Sequence, residues 1–312
     1  MLFKSNTLAL VGTEESLTLS PSKITIWDNS ASKIIIELAL RTPILGIKLR
    51  KDMMAISTIN MIYAYTLLDY KLLEIINTCN NKGGVIALNS RKDYKVLACP
   101  YNVAGVVRVH LYERRVINVT KAHKRAIAFM ALNYSGDLIA TASISGSKIK
   151  IFYTVTGQQL QELRRGIKHA FINQITFHIS SMFLACASDK DSIHIFELFE
   201  ANEKLRTFCI NDYTKEIPID EQGYVNHQII LDPTVKNKEA TFSKIGSLVS
   251  NYFNARRSFT KLKLSSEKKT CAFADGNNFI VIDMGKNIYL YEIPRMGGYC
   301  VLKSTDNIKF NS

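Results

Sequence analysis

Short apolar stretches alternate with polar turns along most of the chain. In Lys148-Ile149-Lys150-Ile151, polar and apolar side chains alternate, which is typical of a strand with one buried face. Asn, Asp, Gly, Ser and Lys fill the gaps between such stretches. The pattern predicts strands at Ile24–Trp27, Ile34–Leu40, Met53–Ile56, Ile62–Tyr65, Val96–Cys99, Val106–Leu111, Leu138–Ala142, Ile149–Phe152, Phe183–Ala187 and Ile193–Phe196.

Two of these units resemble each other in sequence. The segment Leu132–Ser143 has an echo in Phe177–Ser188, and the offset of about 45 residues fits a four-stranded blade. Many short strands at even spacing are typical of sandwiches, barrels and propellers, and the repeat favours the propeller. We therefore expect an all-β, WD-repeat-like β-propeller that forms a single domain over residues 1–312.

The strand pattern stops in an insertion at residues 199–255. Glu, Asp, Lys and Asn and the stretch Pro218–Glu221 are typical of a loop, and loops this long are usually functional or disordered. The end of the insertion differs, because its apolar residues recur at the spacing of one helix face. These residues are Phe242, Ile245, Leu248, Val249, Tyr252 and Phe253.

The composition narrows the class of protein. With 312 residues, 47% of them hydrophobic and 21% charged, the chain is typical of a globular protein with a large core. No apolar run approaches the roughly 18 residues of a membrane span, and the N-terminus is not a convincing signal peptide. The six cysteines are scattered without a Cys-x-x-Cys pair, which favours a reducing compartment.

The formal charge of +13 predicts an anionic partner, which could be nucleic acid, phospholipid or an acidic protein. Charge alone does not identify the partner, and it does not exclude a lysine-rich surface that binds no partner. No stripe of basic residues interleaved with aromatics is present, which argues against nucleic acid. No nucleophile elbow, Gly-rich phosphate loop or metal-ligand spacing is present either, so we predict no enzyme, no catalytic residue, no cofactor and no metal.

The sequence Leu163-Arg164-Arg165-Gly166 lies between the two repeated units. Adjacent side chains of a strand point to opposite sides, so each arginine can work with the hydroxyls of a different unit. An arginine fork combined with hydroxyl donors is suited to phosphate recognition. Two such sites side by side predict binding of a membrane lipid with a phosphorylated headgroup.

This arrangement resembles the PROPPIN family, whose hallmark is Phe/Leu-Arg-Arg-Gly. The resemblance implies a seven-bladed propeller that binds phosphatidylinositol 3-phosphate and 3,5-bisphosphate, as a peripheral membrane scaffold in autophagy or endolysosomal membrane traffic. Other segments match the family in order: Thr7–Gly12, Ile26–Asp28, Ile62–Tyr65, Thr78–Gly83, Ala122–His123, Leu132–Asn133, Gly136, Arg257–Phe259 and Gly297–Cys300.

The resemblance also implies a place in the cell and a set of partners. The expected location is cytoplasmic, with peripheral association with autophagosomal precursor, endosomal or vacuolar membranes. The expected partners are phosphoinositide-containing membranes and proteins of autophagy or membrane traffic. The alternative function is a protein-interaction WD-repeat scaffold that binds no lipid.

About six blade-like units can be placed in this sequence, whereas the family has seven. Family members begin with a further blade before the segment that here starts at Thr7. Either six blades close the ring, or the sequence lacks its natural N-terminal part. A ring that lacks a blade exposes unpaired strand edges, and we favour the second explanation.

The family pattern, carried over position by position, implies two phosphoinositide sites and a membrane-penetrating insertion in the penultimate blade. The inserted residues would be the apolar helix face named above, whose alternative role is packing on the propeller rim. The first site would use His123, Thr141, Ser143, Gly146, Ser147, Lys150 and Arg164. The second would use Arg165, Ser188, Ser192 and His194, with Lys190 as a helper and Gly166 permitting a backbone geometry or a close approach.

Two departures from the family pattern bear on these sites. Lys150 stands where arginine is common, which keeps the charge but loses the fork. Asp191 stands where glycine is usual, and its carboxylate would repel phosphate beside the second site. We expect any histidine contribution to grow as the pH falls. Considered alone, His123 could instead anchor its blade through a buried hydrogen bond.

Overall fold

The structure, a computed structural model, describes residues 6–13, 19–212, 225–228, 258–264, 268–283 and 287–307. The apolar helix face predicted for the end of the insertion, Phe242 to Phe253, lies outside these ranges. Its role in membrane insertion therefore stays a prediction.

The described strands form six sheets, in which most strands pair in antiparallel fashion with their neighbours in sequence. Sheet 1 contains β1 (Thr7–Val11), β2 (Lys23–Asp28) and β3 (Lys33–Ala39). Sheet 2 contains β4 (Gly46–Leu49), β5 (Met53–Ser57), β6 (Met61–Thr66) and β7 (Leu72–Asn77). Sheet 3 contains β8 (Ala87–Leu88), β9 (Val96–Pro100), β10 (Val106–Leu111) and β11 (Val116–Lys121).

The second half of the chain continues in the same manner. Sheet 4 contains β12 (Ile127–Leu132), β13 (Leu138–Ser143), β14 (Lys148–Tyr153) and β15 (Gln159–Arg164). Sheet 5 contains β16 (Ile172–Phe177), β17 (Phe183–Ser188), β18 (Ser192–Glu197) and β20 (Thr260–Lys263). Sheet 6 contains β21 (Lys269–Phe273), β22 (Asn278–Asp283), β23 (Asn287–Glu292) and β25 (Val301–Asn307). Two short strands pair in parallel, β19 (Val225–Gln228) with β11 and β24 (Gly298–Tyr299) with β20.

The alternation of side chains along the strands explains how the sheets pack. On β14, Ile149 and Ile151 are fully buried, whereas Lys148 and Lys150 remain partly exposed. Each sheet shares a hydrophobic core with the next, from sheets 1 and 2 through to sheets 5 and 6. The sheets are therefore stacked face to face in chain order.

The first strands of sheets 2 to 6 surround a central cavity of about 540 Å³. Its lining includes residues at or just after the C-terminal ends of these strands, such as Leu88, Asn133, His178 and Asp275. The first strands therefore run in the same direction around a common axis. This arrangement is a β-propeller, which confirms the predicted fold class, and the described residues form six blade-like sheets.

Antiparallel pairing gives the propeller two distinct edges. We call the edge at which the first strands begin the site edge, because the predicted site residues Ser143 and Arg164 lie there. In sheet 4 this edge also contains Ile127, at the start of β12, and Lys148, at the start of β14. The turn between second and third strands lies at this edge, as does the connector from each fourth strand to the next sheet. The turns between first and second strands, and between third and fourth strands, lie at the opposite edge.

One part of the insertion differs from the loop-like structure expected from its composition. Residues Phe199–Asp212 form a helix, α1, directly after β18. Leu198 and Ala201 are fully buried against the core of sheets 3 to 5, and Leu205 packs beside them. This apolar spacing of three and four residues is typical of one helix face, and the polar residues around it obscured the pattern. Among the described residues, no helix is long and apolar enough to cross a membrane.

Candidate functional site

The two arginines of Leu-Arg-Arg-Gly lie at the site edge, where β15 ends, but they have different environments. Arg164 is partly exposed opposite Lys148. Arg165 is 7% exposed, and its Nε donates a 2.6 Å hydrogen bond to the carbonyl of Gly146. Its Nη2 donates to the carbonyl of Lys168, and burial lowers the pKa of its guanidinium. Arg165 therefore braces the β13–β14 turn against the β15–β16 connector.

Glycine is required at this brace, but at a different position from the one expected. Gly146 has a φ of +61°, and a Cβ on it would lie 1.9 Å from the carbonyl oxygen of Ala170. Only glycine permits so close an approach of the connector. Gly166, for which we expected such a restriction, has no left-handed φ, and a Cβ there would meet no atom within 4 Å.

Two residues predicted for the first site are buried together between sheets 3 and 4. Thr141 is fully buried, and its Oγ1 lies 3.0 Å from Nε2 of His123. Burial lowers the pKa of His123 to about 4. The imidazole is therefore neutral near pH 7, and it ties the loop after β11 to β13.

The remaining first-site residues line the site edge of sheet 4. The hydroxyls of Ser143 and Ser145 lie 2.8 Å apart, and the carbonyl of Ser147 accepts the N–H of Arg165 at 3.0 Å. Burial lowers the pKa of the half-buried Lys150. Its neighbour on the same strand face, Lys148, pairs with Glu162 at 2.5 Å. A carboxylate thus lies among the residues predicted for the first site.

Between sheets 4 and 5 the site edge opens into a groove of about 870 Å³, which we call the basic groove. Five basic residues line it together with two aspartates, so its charge is positive. Its polar lining residues are Arg164, Arg165, Lys168, Asp189, Lys190, Asp191, Ser192, Ser258 and Lys261. Both Arg164 and Arg165 border this cavity, whereas the family pattern divided them between two sites. Arg164 also shares its strand face with Glu162, two residues before it on β15.

The other second-site residues lie at or below the floor of this groove. Ser188 is fully buried, and its Oγ accepts a 3.4 Å hydrogen bond from the N–H of Lys190. His194 is 6% exposed, with Nδ1 lying 3.3 Å from the Ser258 hydroxyl. Burial, followed by the nearby cations Lys261 and Arg165, lowers the pKa of His194 to about 4. This histidine is also neutral near pH 7.

The two aspartates of the groove have basic or N–H partners. Asp189 accepts the N–H of Phe171 at 3.0 Å and pairs with Lys190 at 3.2 Å. Asp191 lies beside the buried Lys269, whose ammonium interacts with both carboxylates. The repulsion expected between Asp191 and phosphate is thus reduced by a neighbouring cation.

The groove also includes three polar residues that were not among the predicted site residues, namely Lys168, Ser258 and Lys261. Lys261 is opposite His194 because β20 pairs with β18. The insertion separates these two strands in sequence, so no local pattern could place Lys261 beside the site. Lys168 did carry a signal, because it follows Gly166 within the short connector that leads to β16.

Comparison with known proteins identifies related sequences. A model of the PROPPIN family matches residues 2–309. Autophagy-related protein 18e of Arabidopsis thaliana is 35% identical over 199 residues, which cover 64% of this chain and 53% of that protein. WD repeat domain phosphoinositide-interacting protein 2 of Gallus gallus is 28% identical over 312 residues, covering 96% of this chain and 66% of that protein. The chain spans between 46% and 62% of the length of the first four curated relatives.

Solved structures share the fold. Hsv2 of Kluyvelomyces marxianus superposes with a TM-score of 0.71 at 18% identity, covering 99% of this chain and 84% of that one. KlAtg21, in a complex with the coiled-coil of AgAtg16, gives a TM-score of 0.73 at 20% identity with the same coverage of both chains. Because the family model matches nearly the whole chain, and the fold agrees, this protein belongs to the PROPPIN family.

Proposed function

We propose that this protein binds phosphatidylinositol 3-phosphate and 3,5-bisphosphate, and that it acts as a peripheral membrane scaffold in autophagy or endolysosomal membrane traffic. The observation that carries the proposal is the basic groove, whose lining contains five basic residues and two aspartates. A phosphomonoester carries close to two negative charges near neutral pH, so the excess of cations complements it. The Gallus gallus relative is named as phosphoinositide-interacting.

Within this site, we assign some residues to phosphate contact and others to support of the groove. Arg164, Lys190 and Lys261 are suited to contact phosphate, because they line the groove and are at least partly exposed. Arg165 and His194 are suited to hold the groove in shape. The apolar residues from Phe242 to Phe253 remain our candidates for membrane insertion. The proposed location is the cytoplasmic surface of autophagosomal precursor, endosomal or vacuolar membranes.

A second candidate function is a protein-interaction scaffold without a lipid ligand. One observation favours it, which is that a similar fold occurs in KlAtg21 bound to the coiled-coil of AgAtg16. The two functions predict different results in a vesicle-binding assay, because a pure protein scaffold would not float with lipid.

The experiment is flotation with phosphatidylcholine vesicles that contain phosphatidylinositol 3-phosphate. Arg164→Gln should weaken binding roughly ten- to hundredfold, because a charge-assisted hydrogen bond contributes about 1.5–3 kcal/mol. Arg91→Gln is the matched control, since Arg91 lies in the β8–β9 turn at the opposite edge and loses the same charge. Equal binding by the wild type and Arg164→Gln would contradict the proposal, as would a lack of wild-type binding.

A further inference from the structure

Three large apolar side chains project from the site edge beside the phosphate-binding residues. Ile144, in the β13–β14 turn, is 46% exposed. Ile167 and Phe171, in the β15–β16 connector, are 73% and 67% exposed. Exposed apolar side chains are common singly, but three in adjacent loops of one edge form a group that needs a partner.

These side chains are displayed by loops whose backbones are held in place. The N–H of Ile144 donates to Ala126 at 3.0 Å. Phe171 exchanges hydrogen bonds with Asp189, through its N–H to the carboxylate at 3.0 Å and through its carbonyl to the N–H of Asp189 at 2.9 Å. The Arg165 brace described above joins the two loops. The apolar groups are therefore preorganised, so a partner that covers them need not order the loops first.

The charges around the apolar group indicate which partner would cover it. Lys168 follows Ile167 in the connector, and Lys124 and Arg125 directly precede Ala126, to which Ile144 is bonded; all three basic residues are exposed. Apolar side chains ringed by lysine and arginine are typical of surfaces that enter the interface of an anionic bilayer. An acidic protein would satisfy the charges, but it would not by itself explain why the apolar group adjoins a phosphate-binding groove.

We propose that Ile144, Ile167 and Phe171 form an apolar contact with the bilayer, separate from the insertion at residues 199–255, whenever the basic groove holds a lipid headgroup. This inference rests on the proposed function. A lipid whose phosphorylated headgroup occupies the groove would place the membrane interface at the site edge, where Ile167 borders the groove. The groove would select the headgroup, and the apolar contact would add affinity for the membrane alone.

The first test separates membrane affinity from headgroup affinity. The double variant Ile144→Ser with Phe171→Ser should bind vesicles of phosphatidylcholine, phosphatidylserine and phosphatidylinositol 3-phosphate about tenfold more weakly, given the apolar area it removes. Its affinity for soluble inositol 1,3-bisphosphate, measured by calorimetry, should stay within twofold of wild type. Leu68→Ser is the matched control, because Leu68 is 94% exposed in the β6–β7 turn at the opposite edge.

Unchanged vesicle binding by the double variant would overturn the inference, and so would equal loss of vesicle and headgroup binding. A wild-type protein that binds neither probe would instead refute the proposed function, and the inference with it. A wild type that binds inositol 1,3-bisphosphate, with vesicle binding unaffected by the double variant, would refute the inference alone.

The second test reports insertion directly. Trp27 is the single tryptophan of the chain, so Trp27→Phe provides a background without tryptophan emission. Ile167→Trp in that background should shift its emission to the blue when the vesicles are added, and brominated lipid should quench it. Leu68→Trp should show neither effect. Absence of both effects for Ile167→Trp, under conditions where the protein floats with the vesicles, would overturn the inference.

Discussion

The region between sheets 3 and 4 and the basic groove between sheets 4 and 5 contain the same kinds of side chain in different states. In the first region, Thr141 and His123 are bonded to each other in the interior, and Lys148 pairs with Glu162. In the groove, Arg164 and Lys261 line an open cavity. Similar sequence patterns thus produce one region whose side chains are bonded to each other in the interior and one that lines an open, positively charged cavity.

Paired lysine substitutions test this comparison with the largest expected effect. Lys190→Gln with Lys261→Gln should weaken binding of inositol 1,3-bisphosphate roughly a hundredfold or more, because two charge-assisted contacts are lost. Lys148→Gln with Lys150→Gln removes the same charge from the first region and should cost less than about tenfold. Calorimetric titrations of both variants at equal salt measure the difference. Equal losses would show that the first region binds phosphate as strongly as the groove.

The two adjacent arginines provide a test of stability. Arg165→Gln should reduce the free energy of unfolding by roughly 2–3 kcal/mol, because the buried carbonyl of Gly146 and the partly buried carbonyl of Lys168 lose a charged donor. Arg164→Gln should change it by less than about 0.5 kcal/mol, since Arg164 is partly exposed. Urea unfolding followed by circular dichroism would measure both. A stable Arg165→Gln variant that has lost headgroup affinity would indicate a phosphate ligand rather than a brace.

Each region also contains one buried histidine, and both should make stability depend on pH. His123 and His194 have folded-state pKa values of about 4, below the ordinary 6.5. The unfolded chain therefore binds protons that the folded chain excludes, so stability is full above pH 6.5 and falls as the pH drops towards 4. Each histidine should account for a loss of about 2 kcal/mol between pH 7 and 4.5.

Urea unfolding of the wild type, His123→Gln and His194→Gln at pH 7 and 4.5 would test this expectation. Each variant should lose less stability than the wild type over that interval, because it lacks one group that must be protonated on unfolding. The sign is opposite to that of a histidine that becomes charged by binding phosphate. A folded protein that gained stability as the pH fell would contradict the burial of both rings.

The sequence was sufficient to predict the fold, whereas the place of the site stays a prediction. Alternating strands and the repeat at about 45 residues indicate a propeller, because both are local patterns that burial imposes. The Arg-Arg pair marks one edge of the propeller, because Arg164 ends β15, whose register is fixed by its pairing with β14. The predicted strands near Met53 and Leu138 agree with β5 and β13.

Other features could not be derived from local patterns. The brace made by Arg165 depends on two loops that meet in space, and the burial of His123 and Thr141 depends on how sheets 3 and 4 pack. The pairing of β18 with β20 brings Lys261 to the groove across the whole insertion. Helix α1 was missed because only Ala201 and Leu205 of the helix, together with Leu198 just before it, pack against the core within a polar segment.

The smallest expected effect concerns the carboxylate of the groove. Asp191→Asn should tighten binding of inositol 1,3-bisphosphate about threefold in low salt, because it removes a negative charge from the lining. The gain is limited by Lys269, whose buried ammonium already interacts with Asp191. High salt should abolish the gain by screening.

Asp275→Asn, at the opposite edge, removes the same charge and should change affinity less. Calorimetry at two salt concentrations measures both variants. Weaker binding by Asp191→Asn would mean that this carboxylate orients a phosphate-binding cation, and that its charge contributes to the groove rather than opposing it.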